Sequence, residues 1–239
     1  MTASMVIDFH SHILPRIDDG SKSLEESIGM LQLLASQGVS HVVLTPHFYP
    51  QHDSPDSFLA KRQHALELLR EEMAKYPDMP QLIAGAEVYY FNGISDSDAL
   101  PGLTIGDNKC ILIEMPMGPW TEQMYRELAG IYEKHGIIPI IAHIDRYISP
   151  MHFKGVMERL EQLPVCVQAN AESFVRRNSK RMMLRLLRYG QLHLLGSDCH
   201  DLNDRAPNLE EAVKTILRHL GPDAIGHIQY FEHKLLKDI

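Results

Sequence analysis

Short apolar runs alternate along the chain with longer stretches whose apolar residues recur every three or four positions. The runs VIDF (6–9), VVLT (42–45), LIAGAE (82–87), CILIEM (110–115), IIPIIAH (137–143), VCVQANA (165–171) and LHLLGSD (192–198) have the length and composition of strands. Between the first two, Ser23-Leu24-Glu25-Glu26 reads as a capping box, with Ser23 at the N-cap. Leu24, Ile28, Leu31 and Ala35 follow at helical spacing, and Gly38 is a natural stop. A second helix starts at Ser54-Pro55, with proline at its first position, and runs to Tyr76, where Pro77 and Pro80 break it. Helices are also predicted over TEQMYRELAGIYEKHG, ending at Gly136, over MHFKGVMERLEQL, and over FVRRNSKRMMLRLLRYG, ending at Gly190. Two more begin near Asn208 and Pro222.

Continuous apolar strands separated by helices specify a parallel sheet covered on both faces. Seven strands are predicted. No linker, charge block or repeat interrupts the pattern, so residues 1–239 are read as a single domain. An open doubly wound sheet and a closed barrel both fit this alternation.

The residues that close the strands discriminate between the two. They are His10 and His12, then His47, Glu87, Glu114, His143, Asn170, and Asp198 with His200. Six of the seven ends carry a metal-type ligand, and Asn170 supplies an amide at the other. A single buried histidine or glutamate is ordinarily a hydrogen-bonded structural residue or an ion-pair partner. The same feature at almost every strand end needs one common compensation, because burying many unpaired polar groups is costly. A barrel gathers its strand ends on one face, whereas an open sheet spreads them along a line, so the barrel is favoured. Alternation in a strand turns His10 and His12 to one side, and Asp198 and His200 likewise.

Composition narrows the chemistry. The chain is 44% hydrophobic and 23% charged, ordinary for a globular protein with a large core. Its net charge of -8 argues against a nucleic-acid groove but leaves room for one phosphate group held locally. MTASM lacks a basic start, and VIDF is too short for a signal core. No apolar run approaches the ~20 residues that cross a bilayer. Cys110, Cys166 and Cys199 are widely spaced and read as reduced, so a cytoplasmic location without membrane insertion is expected. The sequence leaves the oligomeric state open.

The ordered set HSH, IDDG, TPH, GAE, LIE, IAH and SDxH resembles the PHP superfamily (polymerase and histidinol phosphatase). More narrowly, DFHSHILPRIDDGSKSLEES, GAEVYY, IAHIDRY and SDCHDLNDR resemble the bacterial manganese-dependent tyrosine phosphatases of capsule and exopolysaccharide operons. The resemblance implies an α/β fold, a distorted seven-stranded (β/α) barrel with its metal site at the C-terminal strand ends. It also implies three divalent metal ions, manganese first, with iron or zinc next. His10, His12, Glu87 and Asp198 would hold one ion, and Glu87 would bridge to a second completed by Glu114 and His143. Asp19, His47 and His200 would hold the third; Asp19 is preferred to Asp18 because the second aspartate of DDG ligates in the family. Arg146 and Arg205 match the phosphate-holding arginines.

The implied ligands include four carboxylates against six metal charges. That leaves +2 to draw a phosphomonoester to an acidic protein. The implied function is a protein tyrosine phosphatase acting on the phosphotyrosine tail of a bacterial tyrosine autokinase. Its hydrolysis would proceed by in-line attack of a metal-bridging hydroxide. A phenolate leaves with a pKa near ~10, so no general acid is nominated. Alternatives on the same scaffold are a small-molecule phosphatase, such as one for histidinol phosphate, or a non-catalytic metal-binding module. Nuclease activity is disfavoured by charge.

Three further points concern the same segments. Relatives carry Glu where Asp145 stands, which would shift the phosphate pocket if that carboxylate orients Arg146. Phe48-Tyr49 and Tyr89-Tyr90-Phe91 suit either a phosphotyrosine ring or the barrel rim. Cys199 and Arg205 form C-x5-R, the motif of cysteine-dependent tyrosine phosphatases. The intervening residues contain no glycine to cradle phosphate, and Asp201 and Asp204 would repel it, so Cys199 is assigned to the core.

Overall fold

Each predicted apolar run overlaps a strand segment, and nine segments form among the described residues instead of seven continuous strands. The computed structural model describes residues 6–107, 109–147 and 153–236. The MTASM start, and Met151 and His152 of the predicted MHFKGV helix, lie outside them. The strand segments are β1 (Asp8–Ser11), β2 (His41–Leu44), β3 (His47–Phe48), β4 (Gln81–Ala84), β5 (Glu87–Tyr89), β6 (Cys110–Glu114), β7 (Ile138–Ile141), β8 (Cys166–Asn170) and β9 (Leu194–Gly196). The helices are α1 (Leu24–Ser36), α2 (Pro55–Met73), α3 (Leu100–Leu103), α4 (Glu122–His135), α5 (Phe153–Leu160), α6 (Lys180–Arg188), α7 (Leu209–Leu220) and α8 (Pro222–Leu235).

All pairings are parallel, in two sheets of order β1-β2-β4 and β3-β5-β6-β7-β8-β9. A parallel bridge between Ser11 and Cys199 joins the first sheet to the end of the second. His12 N–H donates to Cys199 O at 2.9 Å and Asp198 N–H to His10 O at 2.7 Å across that junction. The strands therefore share one direction, and their C-terminal ends face the same side.

VVLT and LIAGAE do not run unbroken to His47 and Glu87. Pro46 has no N–H to give a ladder. At Gly85 the backbone passes so close to its neighbours that a Cβ would lie 3.2–3.4 Å from Ile105, Val43 and Leu44 O. Gly85 N–H still donates to Leu44 O (2.8 Å) and Glu87 N–H to Pro46 O (3.0 Å). His47 and Glu87 thus open new segments instead of closing old ones.

Helix chemistry follows the sequence with corrections: the second helix ends at Met73, before Tyr76, and the short helix Leu100–Leu103 was not predicted. The Ser23 hydroxyl caps α1 by accepting from Glu26 N–H at 3.2 Å, a cap that contributes about 1 kcal/mol. The Glu26 carboxylate accepts from Lys22 N–H at 2.7 Å, one residue before the capping-box partner. The helix predicted over 174–190 begins only at Lys180, behind a short 3-10 turn at Ala171–Phe174. Ser173 Oγ donates to Asn170 O and Ser179 Oγ to Ser173 O, at 2.6 and 2.8 Å. Hydroxyls that bond to the backbone in this way compete with a continuous helix.

The core has two parts. The larger joins apolar residues of the helices and the strands. The smaller draws Phe9, Val43, Leu112, Ile140, Cys166 and Leu194 from six strand segments, with Leu235 and Leu236 from the C-terminal end. Glu232 of α8 accepts from Ile7 N–H at 3.0 Å, anchoring that helix where β1 begins. Among the described residues no helix is long and apolar enough to cross a membrane.

Candidate metal centre

The Nε2 atoms of His10 and His12 lie 3.0 Å apart, as strand alternation requires of side chains at i and i+2. Glu87 Oε2 lies 3.1 and 3.2 Å from them, and Asp198 Oδ1 lies 3.5 Å from both. All four side chains are at most 3% exposed. Four buried ligand atoms crowded at this spacing repel one another unless a cation or protons lie between them.

Glu87 is the hub. Its Oε2 also approaches His47 Nδ1 at 3.1 Å, and its Oε1 meets His143 Nε2 at 2.9 Å. Glu114 lies 3.7 Å from His143 and 3.9 Å from His47. On the other side of His47, its Nε2 faces Asp19 at 3.6 Å, and His200 Nε2 faces the same oxygen at 3.5 Å. All nine sequence-predicted ligands therefore meet in one cluster. Within it, three groups have donor atoms close enough to share an ion: His12-Asp19-His47-His200, His10-His12-Asp198 and His47-Glu87-Glu114.

The backbone does not always place these residues as alternation suggests. β9 ends at Gly196, and Asp198 sits beyond it with φ 54°, in the left-handed region. His143 likewise follows β7 with φ 30°. Asp198 and His200 reach the cluster through a turn, not as neighbours on one strand face.

Partners behind the rings fix the histidine tautomers. Asp18 accepts from His12 Nδ1 at 2.8 Å, Gln168 from His10 Nδ1 at 3.4 Å, and Asp198 O from His200 Nδ1 at 2.9 Å. Each acceptor favours the proton on Nδ1 and turns Nε2 toward the cluster, the arrangement a metal ligand needs. Asp18 also accepts from Gly20 N–H and His47 N–H, both at 3.0 Å. Gln168 Oε1 accepts from His143 N–H at 2.6 Å, and its amide donates to Asn170 at 3.1 Å.

The electrostatics are those of a site built for cations. Burial opposes ionisation of Glu87, yet the surrounding histidines, His10 foremost, hold its carboxyl well below the usual range. Burial and the Glu87 charge push Glu114 up to about 7. Burial and His12 push His200 down to about 4. His47 Nδ1, Glu87 Oε2, Glu114 Oε2, His143 Nδ1 and His200 Nε2 are buried without a hydrogen-bond partner. Such orphaned atoms are expensive in an interior. The donor set, imidazole and carboxylate without thiolate, fits manganese, iron or zinc.

Arg146 and Arg205 stand at the mouth of the cluster, 35% and 39% exposed. Both pair with Asp198, Arg205 at 2.8 Å, and Asn170 Nδ2 donates to the same carboxylate at 2.8 Å. Asp145 accepts from Asn170 N–H at 2.9 Å, so it acts on Asn170, while the ion pair of Arg146 is with Asp198. The aromatic loops divide. Tyr49 stacks on His47 with centroids 5.0 Å apart, whereas Phe48 and Tyr90 are buried. Cys199 is fully buried, and burial pushes its thiol well above the ordinary value.

Asp18 and Gln168 carry structural roles that the strand-end pattern did not assign. Gln168 had a signal, because it lies two residues before Asn170 in an otherwise apolar run and so faces the same side. Beside Asp19, Asp18 reads from sequence as a turn residue or a support for the ligands, and the loop sets its partners.

Comparison with known proteins gives a consistent picture. The capsular polysaccharide synthesis family CpsB/CapC matches residues 6–236. The tyrosine-protein phosphatase CpsB of Streptococcus pneumoniae is 31% identical, covering 90% of this chain and 91% of its own. The protein of the same name from Streptococcus agalactiae serotype III (strain NEM316) is 29% identical, covering 93% and 94%. A crystal structure from the study of Bacillus subtilis YwqE and S. pneumoniae CpsB, described as unique metal-dependent tyrosine phosphatases, superposes with a TM-score of 0.84. It is 24% identical and covers 95% of this chain and 93% of its own, a likeness of fold.

Proposed function

The chain belongs to the capsular polysaccharide synthesis family CpsB/CapC, and from that premise we propose that it is a metal-dependent protein tyrosine phosphatase. The observation that carries this reading is the buried ligand cluster, with Nε2 atoms turned toward it by Asp18, Gln168 and Asp198 O, lying beneath two arginines.

The residues fit up to three divalent ions, manganese first and iron or zinc next. His10, His12, Glu87 and Asp198 would hold one, Glu87, Glu114 and His143 a second, and Asp19, His47 and His200 a third. When bound, such ions supply Lewis acidity and a hydrolytic water of lowered pKa. Arg146 and Arg205 offer planar forks that match phosphate oxygens, and orient the ester at the mouth. Asp18 and Gln168 keep the imidazole protons on the outer nitrogens. Tyr49, stacked on His47, offers an aromatic face to the phenyl ring of phosphotyrosine. The departing phenolate is stable enough to leave without a strong acid.

The natural substrate in this reading is the phosphotyrosine tail of a bacterial tyrosine autokinase that serves polysaccharide synthesis. Three free, buried cysteines agree with action in the cytoplasm. We further infer one barrel domain over the whole chain. In it β2 with β3, and β4 with β5, are single strands interrupted at Pro46 and Gly85, and the Ser11–Cys199 bridge supports closure.

Hydrolysis of a phosphotyrosine peptide, histidinol phosphate and an aryl phosphate, each with manganese and with chelator, tests this. The peptide is expected to be hydrolysed only with metal, and poorly by His143→Ala. Preference for histidinol phosphate would overturn the substrate class. Metal binding without turnover of any ester would leave a binding module.

A further inference from the structure

In a chain of net charge -8, residues 175–190 carry six cations and no carboxylate: Arg176, Arg177, Lys180, Arg181, Arg185 and Arg188. α6 turns Met183, Leu184, Leu186 and Leu187 inward. Arg181, Arg185 and Arg188 recur at i, i+4 and i+7 and are exposed together on the opposite face. Elsewhere Lys61, Lys75, Lys134, Arg159 and Lys214 rest on carboxylates, while Lys22, Arg70, Arg126 and Arg218 are exposed singly and without the clustering seen here. In this segment Arg176 is paired with Glu172. Arg177, Arg181, Arg185 and Arg188 have no ion-pair partner among the described residues. Arg185 also lies over the Tyr189 ring at 5.9 Å, and like charge concentrated on one face is complementary to an anionic partner.

Its shape and position say which partner. Lys180, Arg181, Arg185 and Arg188 line a groove of about 470 Å³ with Tyr189 and His219. A groove suits a linear segment better than a flat bilayer. A long polyanion such as a nucleic acid would meet the acidic remainder of the surface, whereas a short acidic segment meets only this face. Arginine forks pair well with carboxylates and phosphates.

The start of α6 is also tied to the metal cluster. Asn170, bonded to Asp198, leads through the Ser173 and Ser179 hydroxyl bonds to the start of α6. The nine residues of α6 extend about 13 Å, the reach of about four extended residues. We propose that the arginine face of α6, with its groove against α7, docks an acidic segment of the phosphotyrosine protein. This rests on the phosphatase reading above.

The test compares the full-length protein with the triple substitution Arg181→Glu, Arg185→Glu and Arg188→Glu, with circular dichroism as the check on folding. If charge reversal fails to fold, the triple Arg→Gln variant takes its place. Three esters are assayed with manganese: an aryl phosphate, a phosphotyrosine peptide flanked by Asp and Glu, and the same peptide flanked by Ser and Gly. Binding of the unphosphorylated acidic peptide is followed separately by fluorescence anisotropy. The wild type is expected to favour the acidic peptide about tenfold through KM, with the preference lost in the variant and at high salt. Aryl phosphate turnover stays unchanged, and anisotropy binding is lost in the variant.

Equal use of both peptides by the wild type, or a preference that survives in the variant, would overturn the docking surface while leaving the phosphatase reading intact. If no ester is hydrolysed, the phosphatase reading fails, and absence of acidic-peptide binding then sinks the docking surface as well. Charge-dependent binding to phosphatidylserine vesicles without any peptide discrimination would assign the face to a membrane and refute the proposal.

Discussion

Replacing Asp18 by Asn removes the charge that holds the His12 ring. Asp18 accepts from His12 Nδ1 at 2.8 Å and from the backbone N–H groups of Gly20 and His47 at 3.0 Å each. Burial resists its ionisation, but His12 and those donors bring the carboxyl down to about 2, so it is charged at any working pH. A hydrogen bond to a charged group contributes about 1.5–3 kcal/mol. Spread over a ligand whose tautomer it fixes, that predicts a loss of about 10–100-fold in metal affinity. An asparagine has one accepting oxygen, so it keeps the bond from Gly20 N–H or the bond from His47 N–H but not both, and circular dichroism checks that the variant folds. Manganese titration by calorimetry and by aryl phosphate turnover, on wild type and Asp18→Asn, measures the effect. Manganese affinity within about twofold of wild type in a folded variant would refute the reasoning, because His12 would then need no partner.

Cys199→Ser is expected to keep turnover within about twofold, since the buried thiol is far from ionising and the C-x5-R arginine pairs with Asp198; activity that survives chelation but vanishes in this variant would contradict that. Gly196→Ala should cost about 1–3 kcal/mol in thermal or urea unfolding, because its Cβ would lie 2.4 Å from His10 Cβ and 2.7 Å from Gln168 Nε2; the same variant should bind manganese more weakly. Glu232 supplies a pH dependence outside the metal cluster: burial pushes its carboxyl from the ordinary 4.5 to about 8. The folded protein then keeps a proton that the unfolded chain releases, so stability is complete below about 4.5 and falls as pH rises toward about 8. Urea unfolding at both ends of that window should show the loss in the wild type, of order 3–5 kcal/mol, and a flatter profile in Glu232→Gln.

Strand identity was legible because fully covered parallel strands are continuous apolar runs, and their polar closing residues stand out against them. His10, His12, Glu114 and His143 were found this way, His47 and Glu87 open short segments past Pro46 and Gly85, and the structure brings all six together. Asp198 and His200 were identified for a reason that does not hold. The strand ends at Gly196, and a left-handed Asp198 turns the chain into the cluster. The helix over 174–190 was read from a periodicity that continues through its turns, but Ser173 and Ser179 hydroxyls take the backbone bonds that a helix would use.

Local pattern by itself determined the strands and helices and the chemical type of the site, since both depend on residues close in sequence: alternation, helical spacing, and ligand-type side chains where apolar runs stop. Tertiary structure decided which nitrogen of each histidine faces the cluster, that Glu87 stands among four histidines, and that the arginines of α6 have no ion-pair partner among the described residues. Those outcomes depend on groups brought together from distant parts of the chain, such as His10 with Gln168 or Glu87 with His143. A hydrogen bond or a Coulomb interaction acts over a few ångströms of space, whatever the separation in sequence.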